Sequence, residues 1–248
     1  MKTFLIFWLL CMVGFSQNEQ TFEQANYLYN SGYYKEAIDR YDSILEADQH
    51  SAELYFNLAN CYYKLNEIGP SIFYYEKALK LAPNDSDILN NLGYAQKMTI
   101  DAIQEVPEVE VSKLLNKTLD SLSVDGWAVR CIALAFLFVS LFLGYYLSYS
   151  ETKKRLFFVS SSVVLIVLFI VLGLLFKKNS LDRNTHPAIV FVKEIEVKSE
   201  PNLRSETSFT LHEGTKVLII DEYNEDWLKI KLINGETGWV TRSELKAL

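Results

Sequence analysis

The chain has 248 residues, half of them apolar and 14% aromatic, with a formal net charge of −7. That length allows more than one domain, and the acidic balance makes nucleic acid a poor partner. The charge is uneven: Gln17 to Gly126 holds 18 acidic and 8 basic residues, net −10, whereas Ala188 to Leu248 holds 11 and 8, net −3.

Residues 1–16 read as a secretory signal peptide. Lys2 precedes an apolar stretch, Phe4 to Phe15, that is too short to span a bilayer, and Gly14 and Ser16 are small where a signal peptidase cuts. Cleavage after Ser16 is expected, with a retained anchor as the alternative. Leu10 is bulky for the residue before a lipidated cysteine, which argues against modification of Cys11. Cys131 lies in an apolar run, so Cys61 is the remaining thiol of the soluble regions and no intradomain disulfide is expected.

Residues 17–100 repeat with a period of 34, the length of one helix-turn-helix unit. Tyr55, Leu58, Ala59, Tyr62, Ser71, Tyr75, Ala78 and Pro83 set large and small side chains at the spacing that interlocks two antiparallel helices. Ala25, Gly32, Ala37 and Tyr41 stand one period earlier, and Leu89, Leu92 and Gly93 open a third copy. The segment resembles the tetratricopeptide repeat, as two full repeats and a closing helix. In that register the first helices line a concave groove with Phe22, Asn26, Tyr29, Phe56, Asn57, Asn60, Tyr63, Asp87, Asn90, Asn91 and Tyr94. Asparagine amides bond an extended peptide backbone and aromatics give flat apolar contact. The expected peptide-binding set is Phe22, Asn26, Phe56, Asn57, Asn60, Tyr63, Asn90 and Asn91; some of these asparagines would otherwise only cap or space helices. The resemblance places Asn26 and Asn57 at the asparagine positions of a carboxylate clamp. Phe22, Asp87 and Asn91 replace its basic residues, so an internal or basic segment is expected rather than a peptide C-terminus.

Residues 101–126 read as a tether, acidic at Glu105 to Glu110, with an amphipathic helix whose stripe is Leu114, Leu115, Leu119 and Leu122. Two apolar runs follow, 127–149 and 156–176, each about twenty residues and so long enough for a transmembrane helix. Trp127 and the tyrosines Tyr145, Tyr146 and Tyr149 mark the rims, and the connector 150–155 carries Lys153, Lys154 and Arg155 as a cytoplasmic loop would. A signal peptide followed by two spans leaves both soluble regions on the outer side. Lys177, Lys178 and Arg183 after the second span oppose that orientation.

After a linker, 177–187, the segment 188–248 shows short alternating strands separated by turns at Glu213-Gly214 and Asn234-Gly235. Val197, Pro201, Leu203, Leu211, Glu213-Gly214-Thr215, Val217, Trp227, Lys229-Ile230, Gly235 and Gly238-Trp239-Val240 resemble the bacterial SH3-type domain. The resemblance implies an all-β SH3-like barrel that binds cell-wall peptide, proline-rich segments or another protein. Tyr223, Trp227 and Trp239 are its candidate surface residues, with a core role for the tryptophans as the other reading.

No nucleophile pattern, phosphate loop or metal-ligand spacing supports catalysis. His50, His186 and His212 read as surface or linker positions, and neither a cofactor nor an enzyme activity is expected. The expected class is a multidomain membrane protein with an all-α repeat domain, two transmembrane helices and a C-terminal SH3-like barrel. This order of parts resembles the BatE-type family of aerotolerance-operon proteins. The resemblance implies a two-pass inner-membrane protein with both soluble domains periplasmic. Its implied partners are membrane-anchored von Willebrand A-type proteins and a MoxR-type ATPase, in a system tied to oxidative stress or the envelope. The expected function is a scaffold gripping protein partners through groove and barrel. The alternative is a peptidoglycan-binding envelope protein that recruits a wall enzyme.

Overall fold

The computed structural model describes residues 18–101, 103 and 110–248; the expected signal peptide and most of the acidic stretch lie outside them. The chain divides into two units, one of Met1–Val106 with His186–Leu248 and the other of Pro107–Thr185.

In the first unit five helices come first: α1 (18–30), α2 (Tyr34–Glu46), α3 (Ala52–Lys64), α4 (Ile68–Leu81) and α5 (Ser86–Gln96). Their ends repeat like the sequence. Gly32 at φ 84° closes α1, and Asn66 at φ 60° closes α3 at the matching position. The bonds Gly32 N–H to Tyr29 O and Tyr33 N–H to Leu28 O recur as Asn66 to Tyr63 and Glu67 to Tyr62, so both helices end in the same left-handed cap. Ser51 starts α3 by accepting from the Leu54 amide, and Asp85 starts α5 by accepting from Asp87 and Ile88. Small residues let the helices close together: Ala25, Ala37, Ala59, Ser71 and Ala78 are fully buried between Tyr41, Leu58 and Tyr75. Two antiparallel pairs and a closing helix result.

Residues 186–248 form seven strands: β1 (His186–Val190), β2 (Glu194–Lys198), β3 (Thr207–His212), β4 (Lys216–Tyr223), β5 (Trp227–Lys231), β6 (Thr237–Thr241) and β7 (Leu245–Ala247). All pairings are antiparallel in the order β3-β2-β6-β5-β4-β1-β7. The sheet is not closed into the expected barrel. β3 and β7 are its edges, and β2 meets β6 at the single pair Lys198–Trp239. The β1 end turns to the helices instead: Ile189 is fully buried in the helical core and Phe191 packs edge-on against Phe73 of α4, centroids 5.4 Å apart. Inward alternation of Leu228, Ile230 and Val240 with Ala188, Val190, Ile195, Val197, Leu211 and Val217 gives the sheet its own core.

The second unit holds α6 (Glu110–Leu119), α7 (Val124–Leu147) and α8 (Glu151–Asn184). α7 and α8 are long and apolar enough to cross a membrane, about 36 Å and 51 Å at 1.5 Å per residue, and few of their side chains are buried. Gly144 lets the helices approach, for a Cβ there would lie 3.0 Å from the Phe157 ring. Ser161 and Ser162 bond back to Phe158 O. Residues 151–155, read from sequence as part of the connector, form the start of α8; residues 177–184, read as linker, continue it. Lys178, which spoke against the expected orientation, is held by Asp120 at 2.9 Å and Asp182 at 3.2 Å.

Candidate functional site: a helical groove, a sheet face and the clasp between them

The groove asparagines form a ladder. Tyr41 of α2 donates its hydroxyl to Asn26 Oδ1 at 2.6 Å, and Asn57 Nδ2 of α3 donates to the same oxygen at 3.0 Å. One repeat later Tyr75 donates to Asn60 Oδ1 at 2.5 Å and Asn91 Nδ2 of α5 at 2.9 Å. Each rung ties one repeat's two helices to the next repeat. Burial pushes the Tyr41 and Tyr75 phenols well above their usual range, so both hydroxyls stay donors. Phe22 lies against Tyr41 with centroids 5.7 Å apart, and Phe56 against Tyr75 at 6.0 Å. Of the eight predicted residues, four asparagines are thus rungs and two phenylalanines cover them. Tyr63, half-buried, and Asn90, exposed, stand outside the ladder. Asp87 and Tyr94 of α5 are exposed too, with Lys97 Nζ 5.5 Å from the Tyr94 ring.

On the sheet, Trp227, Lys229 and Trp239 alternate with buried residues of β5 and β6 and so belong to the outer face. Tyr223 meets Trp239 edge-on at 6.2 Å, and Lys229 Nζ sits 5.6 Å from the Trp239 ring. Trp227 walls a cleft of about 270 Å³ with Glu194, Glu196, Lys198, Leu203 and Glu244. The three aromatics are therefore surface residues and lie outside the sheet core. Bonds from Lys198 and Thr207 hold the Glu196 carboxyl below its usual range.

Sequence reasoning missed the clasp between the helices and the sheet. Asp101, just after the stack, accepts from Thr215 Oγ1 at 2.6 Å, the His212 amide at 2.7 Å and His212 Nδ1 at 2.7 Å. His212 is therefore a clasp residue and not the free surface position it resembled. Glu76 of α4 holds Lys216 at 2.7 Å, and Lys246 Nζ lies 4.8 Å from the Phe73 centroid and 5.1 Å from that of Phe191. Gly214 makes the approach possible: it has φ +85°, and a Cβ would sit 2.9 Å from Ile72 Cδ1 and Thr99 Cγ2. Gly214→Val should therefore cost about 2–3 kcal/mol through strain and overpacking, read as a lower denaturation midpoint with unchanged helix content. The junction faces α4, a second helix of its repeat.

Residues 193–246 match the bacterial SH3 domain family. Residues 52–85 and 74–104 match the tetratricopeptide repeat. The SH3-type segment is also similar to the cell wall-binding protein YwsB of Bacillus subtilis (strain 168), 36% identical over 53 residues, 21% of this chain and 30% of that protein. The chain thus spans less than a third of that relative's length. Repeats and SH3-type domains of these kinds are interaction modules, and their match suggests protein–protein contact.

Cys61 is fully buried, and burial pushes its thiol up to about 12. A maleimide at neutral pH should leave it unmodified until denaturant unfolds the stack; labelling of the native protein at Cys61 would contradict this.

Proposed function

We propose that the chain is a membrane-anchored scaffold of an envelope-stress complex of the aerotolerance type, gripping protein partners with the repeat groove and the SH3-type face. The observation that carries this reading is the arrangement of the soluble body. Segments before and after two spans pack into one unit through the Asp101 clasp and Ile189, while Asp87, Asn90 and Tyr94 of α5 are exposed and Trp227 and Trp239 lie on the outer face of the sheet. An even number of spans returns the chain to its starting side, and the signal-like N-terminus puts that side in the periplasm of the inner membrane. Few buried side chains on α7 and α8 also favour lipid over a protein core around them. Membrane-anchored von Willebrand A-type proteins are the proposed partners. The net −10 of the first region favours a basic segment in the groove.

Because Asn26, Asn57, Asn60 and Asn91 also hold the stack, the test needs residues outside the ladder. Crosslinking of the full chain in its native cells, read by mass spectrometry, is compared with Asn90→Ala/Tyr94→Ala and with Asp87→Lys. Partners lost in both variants locate the contact in the groove; partners unchanged in both would remove the groove from the scaffold reading.

A second reading has its own support, the similarity of residues in the SH3-type segment to a cell wall-binding protein. Here the sheet face binds peptidoglycan and the repeats recruit a wall enzyme. Retention of the full chain on purified wall sacculi, abolished by Trp227→Ala/Trp239→Ala but not by Asn90→Ala/Tyr94→Ala, would favour it.

A further inference from the structure

The helix α6 has an apolar stripe wider than the protein covers. At about 3.6 residues per turn, Val111, Leu114, Leu115 and Leu119 share one side, with Lys113, Asn116 and Lys117 on the other. One edge is used: Leu119 is 1% exposed, and the indole Nε1 of Trp127, at the start of α7, donates to Leu119 O at 3.2 Å. The other edge is bare, Val111 at 76% and Leu114 at 68% exposed. The C-terminal end of α6 has a fixed level relative to the two long helices. Asp120 bonds Lys178, two residues beyond the apolar run of α8, and Trp127 opens the apolar run of α7. That is the depth at which aromatic and basic residues meet lipid headgroups.

We infer that α6 is an interfacial helix lying on the bilayer surface, with Val111 and Leu114 set into the boundary between headgroups and acyl chains. Lys113 and Lys117 reach from its opposite side towards phosphates and water. The inference rests on the membrane placement proposed above. A lipid surface is the occupant because the uncovered edge continues from Leu119 and Trp127, at the rim of the spans, and the helix's polar side sets Lys113 and Lys117 against the single carboxylate of Glu110. Its role is to fix the chain flat against the membrane where it enters the first span.

The test places a nitroxide label on the full chain in vesicles of phosphatidylethanolamine and phosphatidylglycerol, at Leu114→Cys, Lys113→Cys and, in mid-span, Ile166→Cys, in a background without the native cysteines. The label at Leu114 should be reached by dissolved oxygen and not by a water-soluble nickel complex, whereas the nickel complex should reach the label at Lys113. Nickel access at Leu114 while Ile166 stays in lipid would overturn the inference alone. Exclusion of both reagents from Leu114 would also overturn it, since protein would then be the cover. Nickel access at Ile166 would remove the membrane placement itself and the inference with it.

Discussion

Replacing Asp101 with alanine is expected to separate the unfolding of the helical repeats from that of the SH3-type sheet. The Asp101 side chain is 11% exposed and accepts three bonds, from the Thr215 hydroxyl and from the amide and ring of His212. Its loss leaves a backbone amide and a ring nitrogen without their acceptor at a part-buried junction. Bonds to a carboxylate are each worth about 1.5–3 kcal/mol and do not add fully, so about 2–4 kcal/mol should be lost. Against a typical stability of about 5–15 kcal/mol that is enough to uncouple two cooperative units. Denaturant titration of the full chain, followed by helix circular dichroism and by tryptophan fluorescence, should show one transition in the native chain and two in Asp101→Ala. Coincident curves with an unchanged midpoint would refute the clasp. A pH leg gives the same answer from the charge. Burial alone would raise the Asp101 carboxyl, but the bonds from Thr215 and His212 outweigh it and hold the group below its usual range. A carboxyl depressed on folding stabilises above its unfolded value, about 3.9, and that stabilisation is lost as pH falls through the folded value. The native junction should therefore weaken in acid below about pH 4, whereas Asp101→Asn should start weaker and lose this dependence.

Asn60→Ala is the second large effect. Asn60 Oδ1 accepts both the Tyr75 hydroxyl and the Asn91 amide, and Tyr75 is buried among the repeat tyrosines. Truncation strands two donors and opens a gap between α3, α4 and α5, at a cost of about 2–3 kcal/mol. Tyr75→Phe removes one donor only and should cost about 1 kcal/mol. If the rung is a unit, the double variant costs less than the sum of the two, because a phenyl ring in place of the phenol no longer needs the missing oxygen. Strict additivity in thermal or denaturant melts would mean that the rung carries no coupling. Asn26 should behave as Asn60 does, since Tyr41 and Asn57 occupy it in the same way.

The repeat stack was legible because its determinants are local and periodic: Ala25 with Ala59, Tyr41 with Tyr75, and caps at Gly32 and Asn66. The ladder was half legible. Asn26 and Asn60, and Asn57 and Asn91, lie one period apart, but side-chain periodicity alone does not say whether an amide faces a ligand or a neighbouring tyrosine. The turns at Gly214 and Gly235 were readable from glycine's access to positive φ. Closure of the sheet was not, because it depends on long-range packing that no local pattern encodes, such as that of Ile189 and Phe191 against the helices. The clasp left no local signal: Asp101 sits just before an acidic stretch, and its partners are more than a hundred residues away. For the same reason the ends of α8 were misplaced, since hydropathy marks where lipid stops and not where a helix does.

The position of Ile189 inside the helical core has a consequence for biogenesis. Ile72 and Phe73 of α4 cannot be fully covered until the ribosome has made both long helices and the segment that follows them, which brings Phe191 and Gly214. The repeat stack must wait with an adhesive flank, and its final assembly is a long-range closure of the slow kind. A chain cut short after the second long helix would leave that flank permanently bare, a target for proteases rather than a shortened but stable repeat domain.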